Sequence, residues 1–322
     1  MASRSLRRPR SGRRRTSHGI PLGPLQAFHL TAQLGRVSAA ARALGITQPA
    51  VTQQIRRLED ALGVPLFDRF RGRVVLTHAG ETLETYAQRI AHLLDAAQEA
   101  VENLVGVQRG HLRVGASRTA GSYYIAGLLD RFKRRFPGVR VSLSVGNSET
   151  ILERILGLAL DLGLIAGPCA DPRLVAVPLI RDRLLVIMPP GHPLSAKPVV
   201  SMEDLAGYPW ISREPGSATR RLIEGALASH GVQVEPTMEL ESNEAIKSAV
   251  ADGIGIGLMA RAAVAGDVDA RRLVARPLRE SLTLDFFLVY HRERTIAPAV
   301  AAFLELVSAA GGHPLRSTRL LS

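Results

Sequence analysis

The 322-residue chain has a single cysteine, Cys169, so no disulfide can form within it. One unpaired thiol accords with a reducing, cytoplasmic setting. The nine histidines are scattered, without the paired Cys/His spacing of a zinc site, so neither a metal nor another cofactor is expected. No apolar run approaches the roughly 20 residues that a membrane helix requires, and no membrane partner is expected. The basic N-terminus is not followed by the apolar segment and cleavage site of a secretory signal. Gly-x-Ser-x-Gly, the Walker lysine loop and His-Glu-x-x-His are all absent. The run Gly253-Ile254-Gly255-Ile256-Gly257 lacks the spacing and the downstream acid of a dinucleotide loop. Asp161 and Asp252 lie near apolar segments, with no second group placed beside either for acid–base work. No catalytic residue is assigned, and the chain is expected not to be an enzyme.

Acid is scarce at one end. Residues 1–20 hold seven arginines and no Asp or Glu, and residues 21–80 hold seven arginines against three acids. Beyond residue 80, 27 basic side chains face 26 acidic ones. The net charge of +12 is therefore concentrated in the first quarter, beside a charge-balanced remainder. Such a partition fits a nucleic-acid-binding module joined to a domain with another task; a solvated basic surface fits it equally. Residues 1–20, rich in Arg, Ser, Gly and Pro, are too polar to order and are expected to be a disordered tail.

Helical patterning starts at once after the tail. Leu25, Phe28, His29, Ala32 and Leu34 suggest a first helix ending at Gly35. Ser38 is expected to cap a second over Ala39–Leu44, stopped by Gly45. After that turn, Thr47 is the expected cap of a third helix, and Pro49 sits in its first turn, where a missing N–H is harmless. Ala50, Val51, Ile55 and Leu58 form its apolar stripe. Two short helices joined by a tight Gly turn describe a helix-turn-helix. The outward face would carry Gln48, Thr52, Gln53, Arg56 and Arg57. Gln can pair with adenine and Thr can meet a thymine methyl, while Arg56 and Arg57 suit phosphate. An ordinary amphipathic surface helix would show the same pattern.

The stretch SAAARALGITQPAVTQQIRRLEDALGVPLFDR, followed by RVVLTHAGE, resembles the signature of LysR-type transcriptional regulators over about sixty positions. The match includes Gln48-Pro49-Ala50 at the start of the recognition helix. The resemblance implies a winged helix-turn-helix over residues 21–78, with a β-wing from Arg69 to Leu76. Arg69, Arg71 and Arg73 would then meet the phosphate backbone. It also implies double-stranded promoter DNA and RNA polymerase as partners.

From Thr77 to about Val105 the pattern is one long helix. Leu83, Tyr86, Ile90, Leu93, Ala97, Ala100 and Leu104 fall on alternating three- and four-residue steps, the a and d positions of a heptad. Packing on its own domain would also use such a stripe. The resemblance implies instead a linker helix, residues 79–107, that pairs two chains into a homodimer or homotetramer. A two-fold protein would suit half-sites about one DNA turn apart.

After Gln108-Arg109-Gly110 the pattern becomes alternating α/β. Strands are predicted at His111–Gly115, Val139–Val145, Leu160–Ile165, Leu174–Leu179, Leu184–Met188, Met238–Leu240, Gly255–Met259 and Thr283–Tyr290. Helices are predicted at Gly121–Phe136, Glu149–Leu156 and Pro298–Ala310. This rhythm argues for parallel sheet with flanking helices. The resemblance implies a two-lobed, periplasmic-binding-protein-like effector domain over 108–312, with crossings near Arg181–Arg183 and Leu278–Ser281. Three segments could build an anion site: Gly115 to Gly121, Gly146 to Thr150 and Arg213 to Arg221. Helix N-termini lined by Ser and Thr offer N–H and O–H donors to a carboxylate, phosphate or sulfate. Ser and Thr also cap helices for purely structural reasons.

GASRTAG, GNSET, DLGLIAG, REPGSATR and SNEAIKSAVADGIGIGLMA resemble the branch of the family that regulates sulfur assimilation and autotrophic carbon fixation. By that resemblance Ser117, Thr119, Ser148, Ser217 and Thr219 are the candidate effector contacts, with Asn243 and Glu244 approaching the same cleft. Ala166 stands where that branch often has Glu, and Ala218 where it often has Gly. The implied function is sequence-specific promoter binding that answers to a small, anionic metabolite. The alternative is a constitutive architectural DNA-binding protein with a non-functional effector domain. A solute-binding or enzymatic domain fused to a basic tail is a third reading.

Overall fold

The computed structural model describes residues 20–70, 73–102, 109–294 and 296–311. All of the Arg-rich tail except Ile20 lies outside the described residues. The chain divides into two compact units between Ala91 and His92.

The first unit contains α1 (Leu22–Leu34), α2 (Val37–Leu44), α3 (Gln48–Leu62), the hairpin β1 (Phe67–Phe70) and β2 (Arg73–Leu76), and the start of α4 (His78–Glu102). Ala27, Ala40, Ala41, Val51 and Ile55 make one buried cluster, in which three alanines let α1 and α2 approach α3 closely. Leu25, Phe28, Leu58, Leu66 and Ala87 make a second, joining α1, α3 and α4. Gly45 turns α2 into α3 at φ 67°, a left-handed conformation that is costly with a Cβ. The expectation that Ser38 caps α2 is corrected. The helix begins two residues earlier, at Val37, Arg36 occupies the cap position without a side-chain bond, and Ser38 lies in the first turn. The start of α4 is firmly tied. Thr77 Oγ1 accepts the Gly80 N–H at 3.0 Å and donates to the Pro65 carbonyl at 2.8 Å. Along α4, Leu83 packs on the core, whereas Tyr86, Ile90, Leu93 and Ala97 of the heptad stripe are exposed. Leu104 lies outside the described residues.

The second unit continues with β3 (Gly110–Ser117), α5 (Arg118–Tyr123), α6 (Ile125–Arg135), β4 (Val139–Gly146), α7 (Ser148–Leu156), β5 (Leu162–Ala166) and β6 (Leu174–Met188). Then follow β7 (Trp210–Arg213), α8 (Ala218–Ser229), β8 (Pro236–Leu240), α9 (Asn243–Ala251), β9 (Gly257–Ala260), α10 (Arg261–Asp269), β10 (Val274–Pro277), β11 (Thr283–His291) and α11 (Pro298–Gly311). The main sheet runs β10-β6-β11-β5-β3-β4, with β9 also on β6, and β7 pairs β8 separately. The two strands predicted at 174–179 and 184–188 are one 15-residue strand. Its first part pairs β11 in one lobe and its last part pairs β9 and β10 in the other. Crossing between lobes therefore falls inside β6 and in the turn before β11. The predicted parallel pairing holds for β4-β3-β5 and for β7-β8. Pairings with β6 and β11 are antiparallel, because the chain crosses by extended strands rather than by helices.

The helix predicted over Gly121–Phe136 is broken at Tyr124 (φ −123°, ψ −41°). Tertiary contacts pull that residue out of helical geometry. Its ring packs 4.9 Å from Phe286, and its hydroxyl donates to Asp182 Oδ2 at 2.6 Å. Burial, reinforced by that hydrogen bond, raises the phenol pKa well above its ordinary value, so it stays a donor. Gly255 answers the glycine run noted above. A Cβ there would lie 2.5 Å from the Pro209 carbonyl oxygen, so two backbones meet where a dinucleotide loop would need open space.

Asp161 is 2% exposed and has a structural part. It accepts the Arg113 N–H at 2.6 Å, pairs with the Arg294 guanidinium and lies 3.6 Å from Arg113 Nη1. Arg113 in turn pairs with Asp95 and lies 2.7 Å from His92 Nδ1, both on α4. Cys169 is half-buried against the cluster of Ile151, Ile155 and Leu174.

Candidate nucleic-acid face and ligand cleft

Helix α3 is held by its buried stripe, Val51, Ile55 and Leu58. Thr47 Oγ1 accepts the Ala50 N–H at 3.4 Å, and Pro49 occupies the first turn. With one side fixed, Gln48, Pro49, Gln53, Arg56 and Arg57 are exposed, and Ala50 and Thr52 are half-buried. Gln48, Pro49, Thr52, Gln53 and Arg56 line one shallow depression; Arg57 and Ala50 stand outside it. The Thr52 hydroxyl donates to the Gln48 carbonyl at 3.1 Å, which leaves its methyl as the group best able to meet a base. Glu59 Oε1 accepts the Leu66 N–H at 2.8 Å and so fixes the approach to the hairpin. Arg69 and Arg73 fall on β1 and β2, where Arg69 pairs with Val74 and Arg73 with Phe70. Arg71 lies outside the described residues.

In the second unit, segments distant in sequence meet in a recess between the lobes. Ser117, Arg118, Thr119, Asn147, Ser148, Ala166 and residues 213–214 and 217–219 line it. All five predicted hydroxyls are thus brought together, and Asn243 adjoins them. Ser117, Thr119, Ser148, Ser217, Thr219 and Asn243 are each at most 6% exposed. Glu244 is not part of this set. It is largely exposed, pairs with Lys247 at 2.8 Å and accepts the Tyr123 hydroxyl at 3.1 Å.

Where each hydroxyl proton points decides what the recess can hold. Ser117 Oγ accepts the Ala166 N–H at 3.2 Å, so its own proton remains available. Ser217 Oγ accepts the Arg220 N–H at 3.4 Å as the N-cap of α8 and likewise keeps its proton. Thr119 Oγ1 accepts from Asn243 Nδ2 at 3.5 Å and keeps its proton too. Ser148 differs, because its hydroxyl donates to the buried Ala166 carbonyl at 3.0 Å. Nor is it the N-cap of α7, although it stands at that helix's start. Asn147 holds that place, its Oδ1 accepting the Thr150 N–H at 2.8 Å. Two hydroxyls thus pin the backbone of Ala166.

The recess also holds ionic groups that the hydroxyl-lined segments alone do not mark. Arg213 and Glu214 are both 6% exposed, and Arg213 Nε meets Glu214 Oε2 at 2.9 Å while Nη2 meets Oε1 at 3.2 Å. Arg213 also donates from Nη1 to Asn243 Oδ1 at 2.7 Å. Arg118, from the other lobe, pairs with Glu241 and brings Nε within 3.2 Å of Glu214 Oε1. Further cross-lobe contacts surround this chain of charges. Asn147 Nδ2 donates to the Pro215 carbonyl at 3.4 Å. Gly216, at φ 81°, passes so near that a Cβ would lie 2.7 Å from Asn147 Nδ2. A Cβ on Gly167 would lie 3.0 Å from the Ala218 methyl, so here the methyl stands on the α8 side of the recess. A cluster of hydroxyl donors, two helix N-termini and Arg118 can attract a small oxyanion. No group of histidine, cysteine, aspartate and glutamate that could hold a metal occurs among the described residues. Nor, among them, is any helix long and apolar enough to cross a membrane.

Family models match segments in both units. Residues 22–81 match the bacterial regulatory helix-turn-helix protein, lysR family, and residues 106–312 match the LysR substrate binding domain. The chain is 36% identical over 288 residues to the HTH-type transcriptional regulator YeiE of Escherichia coli K12, covering 89% of this chain and 96% of that protein. It is 33% identical over 297 residues to the RuBisCO operon transcriptional regulator of Allochromatium vinosum, covering 89% and 95%. The regulatory domain of CcmR from Synechocystis PCC6803, solved in complex with 2-PG, is 29% identical. It superimposes with a TM-score of 0.59 over 63% of this chain and 98% of that one.

Proposed function

The chain belongs to the LysR family of transcriptional regulators, and from that premise we propose that it reads promoter DNA through α3 in response to a small oxyanion. The observation that carries the ligand half is the convergence of three uncommitted hydroxyl protons, from Ser117, Thr119 and Ser217, beside Arg118. A small ligand, 2-PG, is bound by the similar CcmR regulatory domain, which supports a small-molecule site here. On DNA, Gln48, Pro49, Ala50, Thr52 and Gln53 lie along bases in the major groove. Arg56 and Arg57, with Arg69, Arg71 and Arg73 of the hairpin, hold phosphates. The working state is a homodimer or a tetramer built from it, acting in the cytoplasm. The exposed Tyr86, Ile90 and Leu93 of α4 support helix pairing between chains.

Mobility-shift titration of a Gln48→Ala protein over operator variants tests the DNA half. Discrimination at one base pair is expected to fall by about 1–3 kcal/mol while affinity for unrelated DNA holds. Unchanged discrimination at every position would remove Gln48 from the reading face. Sedimentation tests the pairing: Leu93→Glu places a charge in the stripe and is expected to give monomers at concentrations where the parent is dimeric.

A further inference from the structure

The recess proposed to hold an oxyanion already contains a buried carboxylate, Glu214. This is unlike charge placement elsewhere in the unit. Asp161 and Asp267, also buried, each meet two cationic side chains outside the recess. Glu214 instead faces the donors available to a ligand. It takes Arg213 bidentately within its own lobe and reaches toward Arg118 on the other. Arg213 is largely spent, since Nη1 also serves Asn243 and Nη2 the Glu241 carbonyl. Arg118 is not. Its buried Nε lies 3.2 Å from Glu214 Oε1, but the N–H makes no hydrogen bond. The contact is one of charge attraction with a donor left over.

Building on the oxyanion reading above, we propose that Glu214 is the resident anion of the cleft and sets its selectivity. With no ligand bound, its carboxylate supplies the negative charge that draws Arg118, and with it the first lobe, toward the second. An incoming anion must compete with Glu214 for Arg118 and lie close to a like charge. A weakly charged carboxylate therefore fails where a compact, strongly charged oxyanion able to use Ser117, Thr119, Ser217 and the N-terminus of α8 succeeds. Glu241, 73% exposed at its side chain, competes for the same guanidinium from the solvent side. Glu214 is a specificity-determining residue that acts by opposing the ligand.

Titration calorimetry of the full chain with inorganic sulfate at fixed ionic strength tests the proposal. Sulfate carries no proton to donate to Glu214, so the carboxylate can only oppose it. Glu214→Gln keeps size and one acceptor while removing the charge, and sulfate is expected to bind roughly ten-fold tighter or more. Glu241→Gln, at an exposed position where folding is not at stake, is expected to give a smaller gain of about two- to three-fold. Equal or weaker sulfate binding by both variants, with sulfate binding to the parent intact, would overturn the role of Glu214 and leave the oxyanion site standing. No heat with the parent or with either variant would overturn the site and this inference together.

Discussion

The two faces that carry the proposed function handle polar groups in opposite ways. On α3, Gln48, Gln53, Arg56 and Arg57 are exposed, and none of their side chains bonds to another described residue of the first unit. In the cleft, Arg213, Glu214, Ser148 and Asn243 are buried, and each is engaged with another buried group. Exposed polar groups can be given entirely to a partner. Buried ones are part of the fold and can be given only in the fraction that internal bonding leaves free. Substitutions on α3 should therefore change recognition without changing stability. Those in the cleft should change both, in proportions set by the bonds each residue already makes.

Arg213→Gln would strain that contrast hardest. It removes the bidentate cation from a buried carboxylate, and breaking such a pair is expected to cost the second unit about 3 kcal/mol or more. Urea unfolding followed by Trp210, a buried probe in β7 of the same unit, would measure it. A loss under about 0.5 kcal/mol, typical of exposed positions, would mean that solvent replaces the guanidinium. The division between the two faces would then fail. The matched control is the Gln48→Ala protein, whose unfolding midpoint is expected to be unchanged.

The same contrast explains what could be read from the sequence. The α3 helix and its exposed face are legible because their determinants are contiguous: Thr47 as cap, Pro49 in the first turn, and a buried stripe at helical spacing. The five hydroxyls of the cleft were legible as short segments that resemble a known branch. Their division of labour was not. Whether Ser148 or Asn147 caps α7 depends on the Ala166 carbonyl, 18 residues away, which claims the Ser148 proton. Arg118, Glu214 and Glu241 form one chain of charges only after folding brings three segments together. The break between α5 and α6 has neither glycine nor proline at Tyr124 itself; it follows from the contacts that Tyr124 makes with Phe286 and Asp182. Local periodicity carries no information about such pulls, and neither does the antiparallel pairing around β6.

The smallest expected effects separate two serines of one recess and so sharpen the comparison further. Ser217→Ala removes an N-cap and a free hydroxyl proton together. It is expected to cost about 1 kcal/mol of stability and to weaken sulfate binding several-fold, as for a lost hydrogen bond to a charged group. Ser148→Ala removes a hydroxyl whose proton is already given to Ala166. Its stability cost should be similar, about 1 kcal/mol, but its effect on sulfate binding should fall within about two-fold, because no donor is lost to the ligand. Melting curves and calorimetry on the two proteins give the four values needed. If Ser148→Ala weakened sulfate binding as much as Ser217→Ala, the Ser148 hydroxyl would have to turn toward the ligand and release the buried Ala166 carbonyl. The rule that a cleft group gives only what its internal bonds leave free would then be wrong at its most direct test.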